Sequence, residues 1–419
     1  MKKKNSNRYI LLHKTDSTQR VINRIEKELN IQCVSSSELS STVRAKSILN
    51  SGSGVFFKNL GITVVENIEE EKLVDSLNSS SSLLHWELER KFYPVSELEY
   101  LANIKKSLLL LEQQVVELET SLLSKDETIK KIVEQRTWGM DILEVQKSKY
   151  SGAGINIAIL DTGFYKEHPD FVGRTIEGKS FIDNQAWDFD SYGHGTHCTG
   201  TASGYVSLDN KKRYGIAYES NIFIGKVLSD SAVGSTSTIL DGIDWALEKE
   251  CQVISMSLGS AVAIGEKPSP IFEHVGRKAL EQRCLIVAAS GNDSHRPDGI
   301  PKPVSSPANA ESIMAVAALD KYLKVASFSN AGINASDGGR IDLSAPGVDI
   351  FSSYSNASHY KKMSGTSMAT PHVAGVAALY FEAFPTLSAA EIWLKMEKDS
   401  LELTGQRRRD IGAGMVKVV

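Results

Sequence analysis

No stretch of this sequence approaches the ~20 consecutive apolar residues that span a bilayer, which excludes a transmembrane helix and a membrane partner. After the basic start, the run Tyr9-Ile10-Leu11-Leu12 falls short of the ~7–15 residues of a signal-peptide core and ends at His13, Lys14 and Asp16, so the chain reads as cytoplasmic. Cysteine is scarce. Cys33, Cys198, Cys251 and Cys284 stand apart, with no C-x-x-C pair and no zinc spacing. Two disulfides are the alternative to four buried thiols, and a chain without an export signal favours the thiols. An excess of basic charge is also missing: 47 Lys and Arg face 51 Asp and Glu, for a net charge of −4, which removes the electrostatic case for nucleic acid. With 419 residues, 41% hydrophobic and 23% charged, the chain is globular, not fibrous or disordered, and long enough for two or three units.

Composition divides those units at 1–95, 96–136 and 137–419. The first is polar and serine-rich. Strands are expected at 8–12, 31–35, 54–58 and 83–93, with amphipathic helices at 17–29 and 67–77, giving a small α+β unit of order βαββαβ. The second is almost free of glycine and proline. Leu101, Ile104, Leu108, Leu111, Val115, Leu118 and Leu122 form a heptad seam on a helix at 97–123, able to pair with a second copy or to dock on a neighbouring domain. In the third, apolar runs at 155–160, 222–228, 253–258, 285–289 and 313–318 alternate with helical stretches at 237–249 and 271–282. That is the pattern of an α/β fold with a mostly parallel central sheet covered by helices. Chemistry in such sheets gathers at the carboxyl ends of the strands.

Four short runs carry candidate chemistry. Asp161-Thr162-Gly163 ends the first of these strands with a carboxylate suited to orienting a partner. Gly193-His194-Gly195-Thr196-His197-Cys198 offers an imidazole between glycines, able to take and return a proton; the spacing of His194 and His197 is not that of a zinc peptidase. Ser290-Gly291-Asn292 ends a buried strand with an amide that can donate to an oxyanion. Gly365-Thr366-Ser367-Met368-Ala369 puts a serine at the start of an apolar helix, facing free N–H groups. Each alone is as well explained by a cap or a turn.

Together they resemble the subtilisin-like serine peptidases, the subtilases, whose chain order is Asp, His, Ser. The resemblance extends from Trp138-Gly139-Met140 through His168-Pro169-Asp170 to Gly412-Ala413-Gly414. It implies a serine endopeptidase in which Ser367 is the nucleophile, His194 the general base and then acid, and Asp161 its orienting partner. Asn292 completes the oxyanion hole; in this family losing that donor costs on the order of 10²–10³ in rate. No cofactor is needed for the reaction. Ser257, Leu258 and Gly259 match the edge strand that pairs with extended peptide or protein substrates, Ser290 and Gly291 match the opposite wall of the pocket for the residue before the scissile bond, and Ala232-Val233-Gly234 stands at a further subsite. Cys198 is similar to the thiol under the histidine in the proteinase K branch, and Ser306-Pro307 falls where relatives have a cis bond. Asp170 matches a structural calcium ligand, although Lys211, Lys212 and Arg213 lie in its partner loop. The βαββαβ order resembles the family's propeptide, a chaperone and inhibitor of its own enzyme whose tail enters the cleft; here the helical stretch 96–136 is expected to intervene. The competing class is a catalytically silent binding module on the same fold.

Overall fold

The computed structural model describes residues 7–14, 17–39, 45–50, 52–66, 68, 70–79, 83–95, 135–207, 211–335 and 338–419. The heptad helix at 97–123 lies outside the described residues. The amino-terminal unit is built from β1 (Arg8–His13), α1 (Thr18–Leu29), β2 (Cys33–Ser35), α2 (Ala45–Asn50), β3 (Gly54–Phe57), β4 (Ile62–Glu66), α3 (Glu70–Ser79) and β5 (Leu83–Leu88). Its sheet has the order β2-β3-β4-β1-β5. α1 buries Val21, Ile22, Ile25 and Leu29, the face expected from their spacing.

The βαββαβ order is present, but the strands differ from those expected. β3 and β4 form an antiparallel pair at its centre, whereas β2 is a three-residue parallel addition at the edge. β4 escapes the sequence reading because Ile62 to Glu66 are all buried and do not alternate. The strand expected at 83–93 breaks after Leu88. Its second half, β6 (Lys91–Pro94), leaves this sheet. β6 lies antiparallel between β12 (Gly234–Ser235) and β14 (Leu258–Gly259), two edges of the carboxyl-terminal domain. The tail therefore enters the cleft at once, and residues 96–136 follow the cleft instead of preceding it.

After a short parallel pair, β7 (Gln135–Arg136) with β10 (Lys212–Arg213), the chain forms a seven-stranded parallel sheet. In spatial order it is β17 (Leu343–Pro346), β16 (Met314–Leu319), β15 (Leu285–Ala289), β13 (Val253–Met256), β8 (Asn156–Asp161), β11 (Asn221–Lys226) and β9 (Ile176–Ser180). The five inner strands coincide with the apolar runs. The edges β9 and β17 were not expected, because Ile-Glu-Gly-Lys-Ser and Leu-Ser-Ala-Pro are too polar or too short to read as buried strands. One face packs on the helices His194–Ser203, Thr366–Ala383 and Ala389–Asp399, the other on Thr236–Glu248 and Pro270–Glu281.

The second face also receives the amino-terminal unit. Ile10, Leu12, Val55, Phe57, Ile62 and Val64 share one apolar cluster with Ile239, Leu240 and Phe272. Polar contacts ring it. Glu89 accepts from the Ser237 amide (3.1 Å) in the first turn of one helix, and Glu87 accepts from Ser269 (2.8 Å), the N-cap of the other. Carboxylates at these positions satisfy free donors and complement the helix dipoles. Asp244 accepts from Ser36 Oγ and Asn59 N at 2.7 and 2.9 Å.

His13, at the end of β1, is buried with Nε2 2.9 Å from Thr63 Oγ1. Burial, aided by Arg24, pushes its imidazole down from 6.5 to about 4. Because the folded value lies below the unfolded one, the unit is at full stability above pH 6.5 and loses about 3 kcal/mol as pH falls towards 4. Amide exchange across β1 and β4, corrected for intrinsic rate, should accelerate between pH 7 and pH 5, and His13→Gln should remove that dependence.

Candidate active site

The carboxyl ends of β8 and β15 and the amino ends of two helices converge on one point. β8 ends at Asp161, whose backbone oxygen accepts from Val227 N and Leu228 N at 3.0 and 3.1 Å. Its carboxylate lies 2.8 and 2.9 Å from His194 Nδ1, both side chains fully buried. Burial opposes the imidazolium, but Asp161 outweighs it and holds His194 well above its ordinary pKa. Gly195 lets the two elements touch: a Cβ there would sit 2.2 Å from Gly163 O and 3.2 Å from Asp161 Cβ.

Sequence reasoning missed the group that joins these elements. Asp190 is fully buried and accepts from Gly193 N, Thr196 N and Thr196 Oγ1 at 2.8, 2.8 and 2.7 Å, and from Thr162 Oγ1 at 2.8 Å. Thr162 Oγ1 in turn accepts from Gly195 N at 2.9 Å. Burial pushes Asp190 upward in pKa against these donors. An acidic residue just ahead of a helix start was the available signal. His197 is structural: its Nε2 lies 2.9 Å from Ile350 O, and burial pushes its pKa down to about 3.

Ser367 opens the long buried helix Thr366–Ala383. Its Oγ lies 2.5 Å from the carbonyl oxygen of Val95 and 3.0 Å from Ser257 O. The same Val95 oxygen accepts from Asn292 Nδ2 at 2.6 Å. The Asn292 amide is oriented by Thr366, whose N and Oγ1 both donate to Oδ1 at 2.9 Å. A Cβ on Gly365 would stand 2.9 Å from both Val95 O and Asn292 Nδ2, so only glycine leaves this cradle open. His194 Nε2 is buried without a hydrogen-bond partner among the described residues.

The expected edge strand is occupied by the chain itself. Leu258 pairs with Pro94 and Gly259 with Tyr93, and Val95 N donates to Ser257 O at 3.2 Å. On the other side Gly234 pairs with Phe92, which is fully buried with its ring 5.6 Å from that of Phe272. Ser290 and Gly291 face this strand at the end of β15, and the Ser306-Pro307 bond is cis. Asp170 does not fit a calcium ligand. Its two carboxylate oxygens accept from Tyr360 and Tyr214 hydroxyls at 2.8 and 2.7 Å, so phenols take the positions a cation would need, and Lys212 and Arg213 lie nearby in sequence from Tyr214.

A buried Asp and His pair, a serine on a helix start and an amide aimed at one carbonyl, all at the carboxyl end of a parallel sheet, define a serine peptidase of the subtilisin type. The family comparison agrees. The subtilase family profile matches residues 152–411, and the chain belongs to that family. It is 35% identical over 261 residues to Subtilisin DY of Bacillus licheniformis, covering 62% of this chain and 88% of that one. It is 36% identical over 259 residues to Subtilisin Savinase of Lederbergia lenta (61% and 87%) and 36% identical over 259 residues to the Thermostable alkaline protease of Halalkalibacterium halodurans (61% and 65%). The chain is accordingly a serine endopeptidase.

Cys198 Sγ lies 3.8 Å from His194 Nδ1 and 3.5 Å from Ser367 O, and with Asp161 it makes a tight buried group of donors. Burial pushes the thiol upward in pKa, so it is neutral and inert to ordinary alkylation. A soft cation such as mercuric ion should bind it and abolish peptidase activity, and Cys198→Ala should keep activity while becoming insensitive; titration with mercuric chloride during turnover checks both.

Proposed function

We propose that Asp161, His194 and Ser367 act as a catalytic triad with Asn292 in the oxyanion hole, and that the first substrate is the chain's own Val95–Ser96 peptide bond. The observation that carries this reading is the Val95 carbonyl, held at once by Ser367 Oγ and Asn292 Nδ2 on a strand paired along both edges. Ser367 Oγ attacks the Val95 carbonyl carbon while His194 Nε2 takes its proton. The oxyanion is stabilised by Asn292. The bond to the Ser96 nitrogen breaks as His194 returns the proton to it, and water then releases Val95 as a carboxylate by the same steps.

On this reading residues 1–95 are a propeptide-like unit that folds against the helices Thr236–Glu248 and Pro270–Glu281, and stays in the cleft as a product-like inhibitor until it is displaced. Residues 96–136 then form the start of the processed enzyme, with the heptad seam at 97–123 free to pair with a second copy. Extended peptides would bind in the register of β6, by backbone bonds to β12 and β14. The family's reaction needs no cofactor. No helix among the described residues is long and apolar enough to cross a membrane. The four cysteines, all buried and unpaired, are compatible with a reducing, cytoplasmic setting.

Incubating the full-length chain should release a fragment ending at Val95, and Ser367→Ala should abolish both that release and labelling by a fluorophosphonate. A wild-type chain that is neither cut nor labelled would sink the proposal.

The acid limb of the rate profile follows from His194. The base must be neutral, and Asp161 holds its pKa above 6.5, so kcat/KM should rise with pH through an apparent value above 6.5. Asp161→Asn should lower that apparent value and reduce kcat roughly 10⁴-fold; stopped assays on a small ester substrate from pH 5 to 10 measure both.

A further inference from the structure

Resting on the cleft reading above, we propose that Ser305 sets the residue accepted on the acyl side of the scissile bond, restricting the enzyme to extended peptides with a short aliphatic side chain there, such as valine or alanine. The pocket that receives Val95 has glycine backbone as walls, Gly259 on β14 and Gly291 after β15. A Cβ built on Gly259 would lie 3.1 Å from Val95 Cγ2 and 3.2 Å from Ser305 Cβ. A single carbon at that point would touch the bound methyl group and Ser305 together, so the space between them is small. On the other wall a Cβ at Gly291 would meet Ser305 Oγ at 2.5 Å and Asn330 Nδ2 at 2.1 Å.

Ser305 cannot yield to a larger ligand. It is buried, its N donates to Ser290 O at 2.9 Å, and its Oγ accepts from Asn330 Nδ2 at 3.3 Å and donates to Asp293 Oδ2 at 3.4 Å. Asn330 is itself fixed. Its Nδ2 donates to Pro303 O and Asp293 Oδ2 at 2.9 and 3.0 Å, and its Oδ1 accepts from Asp293 N and Ser294 Oγ, both at 3.0 Å. An aromatic ring replacing the Val95 isopropyl group would need the volume that Ser305 and this network occupy, and close-packed interiors give way only at a cost. Backbone pairing along β12 and β14 is indifferent to side chain, so discrimination at this position falls to the pocket.

The test uses the full-length chain and follows release of the fragment ending at residue 95 by mass spectrometry. Val95→Ala should be processed within about threefold of wild type, and Val95→Phe at least tenfold more slowly. Ser305→Gly should restore processing of Val95→Phe at least tenfold. In trans, kcat/KM on peptides Phe-Tyr-Pro-Val-Ser and Phe-Tyr-Pro-Phe-Ser should favour valine at least tenfold, a ratio that Ser305→Gly reduces by a similar factor. Gly259→Ala supplies an independent check if Ser305→Gly does not fold: a carbon at the shared point should shift preference from valine to alanine. Equal processing of valine and phenylalanine, or a ratio that neither variant moves, overturns the role of Ser305 while leaving the peptidase intact. A wild-type chain that cuts neither itself nor any peptide removes the cleft reading as well.

Discussion

The strand from Lys91 to Val95 is the constraint on which the rest of the molecule depends. Its backbone is bonded on one edge to β12 and on the other to β14, and its last carbonyl is held by Ser367 and Asn292. A strand committed on both edges cannot also extend the amino-terminal sheet, which is why the chain turns at Glu89 and Arg90. That turn is itself pinned: Thr236 N donates to Arg90 O at 2.9 Å, and Arg90 N donates to Thr236 Oγ1 at 2.9 Å. Position of the tail thus fixes position of the whole amino-terminal unit on the two helices, and its Glu87 and Glu89 fall where those helices have free donors.

Behind the cleft a second constraint operates on charge. Asp161 and His194 come from a strand and a helix, and a buried carboxylate beside a buried imidazole is stable only when both are held by further hydrogen bonds. Asp190 and Thr162 supply them by tying Gly193, Gly195 and Thr196 to the end of β8. The first turn of the His194 helix is therefore fixed before any substrate arrives, and the orientation of the imidazole costs little at the moment of reaction. Ser367 needs less support, because a helix start already offers unpaired N–H groups.

The parallel sheet and the reacting residues were legible in the sequence because each left a local mark. Ile157 to Leu160 and Leu285 to Ala289 are continuous apolar runs, and Asp161, His194, Asn292 and Ser367 stand among small residues that few other demands explain. What was not legible depends on contacts between distant segments. Nothing near Val95 says that its carbonyl meets Ser367 or that 83–93 is two strands, since alternation along 83–93 is the same whichever sheet each half joins. Asp170 matched a calcium ligand by spacing, and only the fold brings Tyr214 and Tyr360 to its two oxygens. Ser305 is silent for the same reason: it gains meaning from Gly259 and Asn330, which lie far from it in sequence.

Cutting the Val95–Ser96 bond would remove no contact that holds the amino-terminal unit. It removes only the tether, and with it an effective concentration that for a short connection is on the order of millimolar. Thereafter the unit is retained by the shared apolar cluster, the bonds to Asp244, Ser237 and Ser269, and the two-edged pairing of β6. Those contacts exist only when the unit is folded, because Glu87, Glu89 and β6 are set in register by β5 and its pairing with β1. Folding of the unit and occupation of the cleft are then one linked equilibrium. A small domain with a modest core is well suited to this, since a loss of a few kcal/mol is a large fraction of its stability. The buried His13 lies in that core, remote from the triad, so conditions that protonate it act on the inhibitor while leaving the cleft itself assembled.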